Sequence, residues 1–122
     1  MKAEPTLTLI VDAGRTSFEP GETVKGTVSW AAAEAPSSLE VRLFWFARSK
    51  ASEHVGVADV MAVRSPQPIG GESFALKSAD APYSFVGELI TLTWAVEAVF
   101  EPGRHAARIE IVVGPRGRVM EI

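Results

Sequence analysis

The side chains able to do chemistry are few and scattered. The chain has two histidines, His54 and His105, and no cysteine. His54 follows Glu53 and precedes Asp59, so its imidazole could join carboxylates as an acid–base pair or begin a metal site. Neither histidine has ligand spacing such as His-x-x-x-His, and both stand in polar or turn-like sequence, where a solvated histidine is the simpler reading. Ser17, Ser37, Ser38, Ser65 and Ser84 include none in a Gly-x-Ser-x-Gly elbow, and no Ser-x-x-Lys motif is completed by its other elements, so a serine nucleophile lacks support. Gly114-Pro115-Arg116-Gly117-Arg118 has the glycines of a phosphate loop but no following helix whose amides would hold the phosphate. A turn with two solvated arginines is expected there. Asp12, Glu19 and Glu22 could hold calcium if they gather at one end of the fold. They lack the regular spacing of a calcium loop and read as turn and strand caps. No catalytic, cofactor or metal residue is assigned, and no enzymatic activity is expected.

The elements that must position these side chains are strands. Period-two alternation, which sends every second side chain to one face of a pleated strand, runs through the chain. Over 22–30, Val24, Gly26, Val28 and Trp30 share one face, and Thr23, Lys25, Thr27 and Ser29 the other. Over 39–47, Leu39, Val41, Leu43, Trp45 and Ala47 alternate with Glu40, Arg42, Phe44 and Phe46, and Arg48 continues the second row. The longest candidate, 87–100, opposes an apolar row through Ile90, Leu92, Trp94, Val96, Ala98 and Phe100 to Thr91, Thr93 and Glu97. Further strands are expected over 7–11, 55–63, 73–77 and 107–113, all rich in Val, Ile, Leu or Phe.

Turn formers separate these runs: Pro20-Gly21, Pro36-Ser37-Ser38, Ser65-Pro66-Gln67-Pro68 with Gly70-Gly71, Asp80-Ala81-Pro82, Pro102-Gly103 and Gly114-Pro115. Phe-Glu-Pro-Gly occurs twice, at 18–21 and 100–103, which reads as repeated turn chemistry and not as a solenoid repeat. Only 31–35 has helical propensity, and Pro36 would end a helix there. About seven short strands with almost no helix predict an all-β fold, two antiparallel sheets packed as an immunoglobulin-like sandwich. Trp30, Trp45 and Trp94 fall on apolar rows, where burial would contribute up to about 5 kcal/mol each.

Composition agrees with one core. The 122 residues fit a single domain over 1–122, and 47% hydrophobic with 22% charged residues is globular composition. A net charge of -3 and a pI near 5.4 supply no overall basic field, which argues against nucleic acid and anionic lipid as partners. Without cysteine there are no disulfides, thiolate metal sites or cysteine nucleophile. Met1-Lys2-Ala3-Glu4-Pro5 and the broken apolar stretch 7–11 make a poor signal peptide, and no run approaches the roughly 18 apolar residues that span a bilayer. A soluble, cytoplasmic protein without membrane insertion is expected.

Two segments carry a family resemblance. Phe18-Glu-Pro-Gly-Glu-Thr-Val-Lys-Gly-Thr-Val28 is followed by Ala81-Pro-Tyr-Ser-Phe-Val-Gly-Glu-Leu-Ile-Thr-Leu-Thr-Trp-Ala-Val-Glu-Ala98, with Phe74-Ala-Leu76 between them. Together they are similar to the N-terminal sandwich of arrestin-like proteins, where a "pGe.v.G.v" strand precedes a "P.SF.G....i.w.v.A" strand. The chain resembles a bacterial-type member with one sandwich, whereas arrestins and the related retromer subunit use two. Arrestins that sense phosphorylated receptors place basic side chains on their first strand, and 6–11 holds no Lys or Arg. The resemblance therefore implies the fold and a role in contacting other proteins, without phosphate sensing and without catalysis.

Arg42, Phe44, Phe46 and Arg48 alternate on the row opposite Trp45. Aromatic rings beside arginines on a solvent face are typical interface anchors, which makes these four the candidate partner surface. The competing expectation is that a loop or Val119-Met120-Glu121-Ile122 covers the rings, or that a bulge inverts the face. The expected partner is another protein, or a second copy joined through sheet edges as a homodimer. No cofactor is expected. A carbohydrate-binding module is the alternative, and it requires Trp30, Trp45, Tyr83 or the Phe44 and Phe46 pair to be solvent accessible. An enzyme would need His54, His105 and nearby acids to converge in one cleft.

Overall fold

Seven strands of six or more residues stand where the alternation places them, joined by three strands of two residues. The computed structural model describes residues 4–121. Met1, Lys2 and Ala3, which open the poor signal peptide, and Ile122, which ends the expected C-terminal cover, lie outside them. The strands are β1 (Thr6–Val11), β2 (Ser17–Phe18), β3 (Thr23–Ala31), β4 (Ser38–Arg48), β5 (Glu53–Ala62), β6 (Ile69–Lys77), β7 (Phe85–Val86), β8 (Thr91–Glu101), β9 (His105–Val113) and β10 (Met120–Glu121). One sheet has the order β1-β3-β6, and the other runs β10-β7-β8-β4-β5 with β9 also paired to β8 and β2 paired to β9. All long pairings are antiparallel, and the short pairs β2 with β9 and β10 with β7 are parallel. The larger sheet centres on β8, which pairs with β4 along one side from Thr91 to Glu101. Its other side is shared between β7 at Thr91 and Leu92 and β9 from Trp94 onward.

Inner rows of the two sheets form one apolar core, as alternation requires. Val24, Val28, Val41, Leu43, Trp94 and Val96 have no exposed surface there. Two core indoles also hold loops: Trp94 Nε1–H donates to Pro82 O at 2.9 Å, and Trp30 Nε1–H donates to Gln67 O at 2.7 Å. Three core rings lie across the neighbouring strand on a glycine directly opposite: Trp30 on Gly70, Trp45 on Gly56 and Phe74 on Gly26. A side chain at any of the three glycines would occupy the space of the ring, so these glycines are packing residues inside strands.

Those pairs explain one departure from the expected boundaries. Gly70-Gly71 belongs to β6 and not to the preceding loop, because a Cβ at Gly70 would come within 2.6 Å of Trp30 Cζ2. A second departure lies in 87–100, where strand geometry begins only at Thr91. The first four residues form a turn closed by the Gly87 N–H on Ile90 O at 3.0 Å, and Leu89 and Ile90 are exposed. The alanines after Ala31 form no helix: Ala32 N–H donates to Pro68 O at 2.7 Å and Ser37 N–H to Glu101 O at 2.8 Å. Amides taken by neighbouring strand ends leave no helical ladder to build.

The repeated tetrapeptide does serve as turn chemistry. Gly21 and Gly103 both have positive φ, 81° and 86°, and Phe18 and Phe100 are both buried. Glu22 N–H donates to Glu19 O at 3.1 Å in the first turn, and Arg104 N–H donates to Glu101 Oε2 at 3.0 Å in the second. Among the described residues, every buried side-chain nitrogen or oxygen has a hydrogen-bond partner.

Candidate interaction surface

Arg42, Phe44, Phe46 and Arg48 share the outer face of the larger sheet, away from the core. Phe44 and Phe46 pack with Ala95 as a separate cluster, ring centroids 6.1 Å apart, and the rings are only 7% and 6% exposed. The cover is neither a loop nor the C-terminal segment, whose strand β10 pairs with β7. It is arginine. The Arg48 guanidinium stands 4.7 Å over the Phe46 ring, and that of Arg108 stands 5.1 Å from Phe44 and 5.5 Å from Phe46. Register sets Arg42, Glu97 and Arg108 in one row across β4, β8 and β9.

Carboxylates hold these cations in place. Glu97 Oε2 accepts from Arg108 Nε at 3.1 Å and lies 3.0 Å from its terminal nitrogen. Glu40 accepts from Arg42 at 2.8 Å, and Glu53 lies 3.8 Å from Arg48. Each exposed ion pair or cation–π contact is worth at most about 1 kcal/mol. Their combined effect is to stiffen the face and to shield its rings.

Beside this platform lies the edge strand β5. Its pairing with β4 shifts between Leu43 opposite Asp59 and Phe44 opposite Val57, so Ala58 is an extra residue, a β-bulge. The bulge puts Val55, Val57 and Val60 opposite Phe46, Phe44 and Arg42 on the outer face, 59%, 56% and 45% exposed. It also turns Asp59 toward the other sheet, where Oδ2 accepts from Lys77 N–H at 3.0 Å while Oδ1 accepts from Val60 N–H at 2.9 Å. A carboxylate bonded to the end of β6 closes that corner of the sandwich. Among the described residues, no strand pairs with the far side of β5, so the edge is open ahead of the bulge.

The polar residues with catalytic types do not converge. His54 pairs opposite Ala47 near the end of β4, while His105 pairs opposite Phe100, itself opposite Leu39 at the start of β4. Eight residues of strand separate those rows, about 26 Å at 3.3 Å per residue. His54 is exposed, and His105 meets Phe100 edge-on at 4.8 Å. Among the described residues, no group of three His, Cys, Asp or Glu could hold a metal ion. Residues 114–118 form a 3-10 turn without a following helix, with Gly117 N–H on Gly114 O at 2.8 Å. Trp30, Phe44 and Phe46 are buried and Trp45 packs against the core, which leaves Tyr83, 37% exposed, as the open ring among the five that a carbohydrate platform could use.

Of the three acids near the first turn, Glu22 is engaged by Arg15. The guanidinium donates to both carboxylate oxygens, at 2.6 and 3.0 Å, and stacks 4.4 Å over Phe18. These hydrogen bonds, with a further one from Glu19 N–H, hold the Glu22 carboxyl below its ordinary range, and the same pairing raises Arg15. A carboxylate depressed in the folded state stabilises above its unfolded value, about 4.3, and that contribution is lost as pH falls through the folded value. Glu22→Gln should therefore lower the melting temperature at about pH 7 and make no difference at about pH 2, as thermal scans of both proteins would show. A deficit that persists in acid would mean that the pair acts through packing and not through charge.

No family model matches the chain, and no curated protein does. Solved structures do. Spo0M, a sporulation control protein from Bacillus subtilis, matches with a TM-score of 0.69 at 16% identity, over 93% of this chain and 50% of the Spo0M chain. The chain has an arrestin-like β-sandwich fold. This sandwich spans about half the length of Spo0M. A CARDB domain from Pyrococcus furiosus, solved in complex with di-metal ions, matches with a TM-score of 0.49 at 11% identity, over 90% of this chain and 94% of that domain.

In this arrestin-like sandwich the two segments that carry the resemblance are structural. Phe18 to Glu22 make the turn held by Arg15, and Pro82 receives the Trp94 indole. Ser84, buried, bonds Val113 N–H at 3.0 Å through its hydroxyl and Val113 O at 2.7 Å through its own amide. No helix among the described residues is long and apolar enough to cross a membrane.

Proposed function

We propose that this chain is a non-enzymatic protein-interaction or scaffold module of arrestin-like type, and that it takes up an extended segment of another protein along the open edge of β5. The observation that carries this reading is the exposed pair Val55 and Val57 on β5, whose far edge no strand takes up among the described residues. An edge strand presents free N–H and C=O groups to a partner strand, and alternate side chains beside it set the specificity. Arg42, Phe44, Phe46 and Arg48 supply the stiff backing, with the arginines open to a partner and the phenyl rings beneath them. The bulge and Asp59 bound the docking stretch, because pairing cannot continue past a residue bonded to β6.

The burial of the rings changes which variant is informative. Phe44→Ala with Phe46→Ala empties a packed cluster, so it destabilises the fold and cannot separate packing from association. Val55→Lys with Val57→Lys places charge on exposed positions of the edge. It is expected to alter stability by about 0.5 kcal/mol or less per site, and to abolish capture of the partner that the wild-type chain retains from its source cells. Sedimentation of both purified proteins would show whether a second copy is that partner. A partner held equally by the wild type and a folded double-lysine variant overturns the edge reading.

A further inference from the structure

The open edge of β5 has an inward row as well as the outward row of valines. Gly56 on that inward row stands directly opposite Trp45, and the indole lies across it: a Cβ at Gly56 would overlap Cε2 and Cζ2 and come within 2.5 Å of Nε1. The missing side chain thus lets the indole nitrogen reach out onto the edge strand. The three tryptophans of the chain are not alike in what that nitrogen meets. Trp30 and Trp94 are buried, and each donates its N–H to a loop carbonyl, Gln67 O and Pro82 O. Trp45 is half-buried, and its N–H has no hydrogen-bond partner among the described residues. Every buried side-chain nitrogen among those residues is satisfied, so the Trp45 nitrogen is one that solvent reaches. An indole N–H donates and cannot accept, so what it lacks at this edge is an acceptor.

We infer that the extended segment taken up by β5 carries a hydrogen-bond acceptor side chain, such as the amide of glutamine, on the residue facing inward opposite Gly56, and that Trp45 Nε1–H is the donor that selects it. The inference rests on the edge reading and adds a selectivity to it. A strand paired to β5 alternates, so its outward side chains cover Val55 and Val57 while its inward ones stand beside Gly56, where no side chain of β5 intervenes. Paired strands lie about 4.8 Å apart, which puts the indole nitrogen over Gly56 within reach of a short polar side chain on the added strand. An apolar side chain at that position strips water from the N–H and returns nothing. A polar one replaces the water with an acceptor. The selectivity comes from that difference, because a donor left unpaired on docking costs more than a satisfied one gains.

The test uses two labelled peptides that differ at one residue, Val-Ala-Val-Gln-Val-Ala-Val and Val-Ala-Val-Met-Val-Ala-Val, each on the same uncharged polyethylene glycol tail. Methionine matches glutamine in length and lacks the amide. In fluorescence-anisotropy titrations of the full chain, the Gln peptide is expected to bind saturably and about three- to tenfold more tightly than the Met peptide. Trp45→Phe keeps a ring beside Gly56 and removes the donor, so it should bring the two peptides to equal affinity in protein of verified fold. Proton NMR of the wild-type chain needs no substitution to fold: the Trp45 indole N–H should exchange with solvent faster than those of Trp30 and Trp94, and should be slowed by the Gln peptide and not by the Met peptide. Equal affinity of the two peptides for the wild type, a preference that survives in Trp45→Phe, or a Trp45 indole signal that the Gln peptide leaves unchanged overturns the inference while the edge reading stands. Val55→Lys with Val57→Lys should weaken both peptides together. Binding untouched by that variant, or no saturable binding of either peptide, overturns the edge reading itself, and the selectivity with it.

Discussion

Trp94→Ala should lower the unfolding free energy by about 3–5 kcal/mol, a large fraction of the roughly 5–15 kcal/mol that holds a domain together. The indole is fully buried in β8, the strand that pairs with β4, β7 and β9. Truncation removes its apolar contacts, leaves a cavity that strands on both sides hinder from collapsing, and takes the donor from Pro82 O. Trp94→Phe separates these effects. It keeps much of the volume and loses the hydrogen bond, so a smaller cost of about 1–3 kcal/mol is expected. Urea unfolding of the three proteins gives the comparison, and a loss under about 1 kcal/mol for Trp94→Ala would contradict the burial described here.

Gly26→Ala should cost about 3 kcal/mol, although it adds only a methyl group. Gly26 lies in β3 between β1 and β6, and its Cβ would run into the Ile10 carbonyl oxygen and come within 2.5 Å of Phe74 Cζ. Backbone on one side and a buried ring on the other cannot both give way. Gly71, also inside a strand, provides the contrast: a Cβ there meets nothing nearer than Val28 O at 3.6 Å. Gly71→Ala is expected to change stability by about 0.5 kcal/mol or less. Denaturant midpoints for the pair decide the matter, and equal effects would mean that these glycines are needed for conformation and not for space.

That contrast shows how far the sequence could be read. Alternation is a local signal, so rows such as Val24, Gly26, Val28 and Trp30 revealed the inward faces of β3, β4 and β8, while richness in Val, Ile, Leu or Phe marked the other four long strands. Two residues cannot alternate, and β2, β7 and β10 exist only because distant strand ends receive them. Gly70-Gly71 resembles a loop until Trp30 is placed on it. The candidate surface was half legible for the same reason. Arg42, Phe44, Phe46 and Arg48 are neighbours on one strand, whereas Arg108 joins them only through the register of β8 and β9. The bulge at Ala58 carries no local mark, so Val60 on the outer face and Asp59 turned inward could not be foreseen. Alternation alone would have exchanged them.

The bonds from Trp30 to Gln67 and from Trp94 to Pro82 make the interior optically sensitive to its own boundary. Each indole is a chromophore seated in the core with its polar atom on a loop, and the two loops lie at opposite ends of the sandwich. Displacing either loop changes the field around a ring that is buried, 6% exposed at Trp30 and 0% at Trp94. Native fluorescence thus reads both ends of the molecule without a label, above the emission of Trp45, and single Trp30→Phe and Trp94→Phe proteins would each remove one of the two reporters.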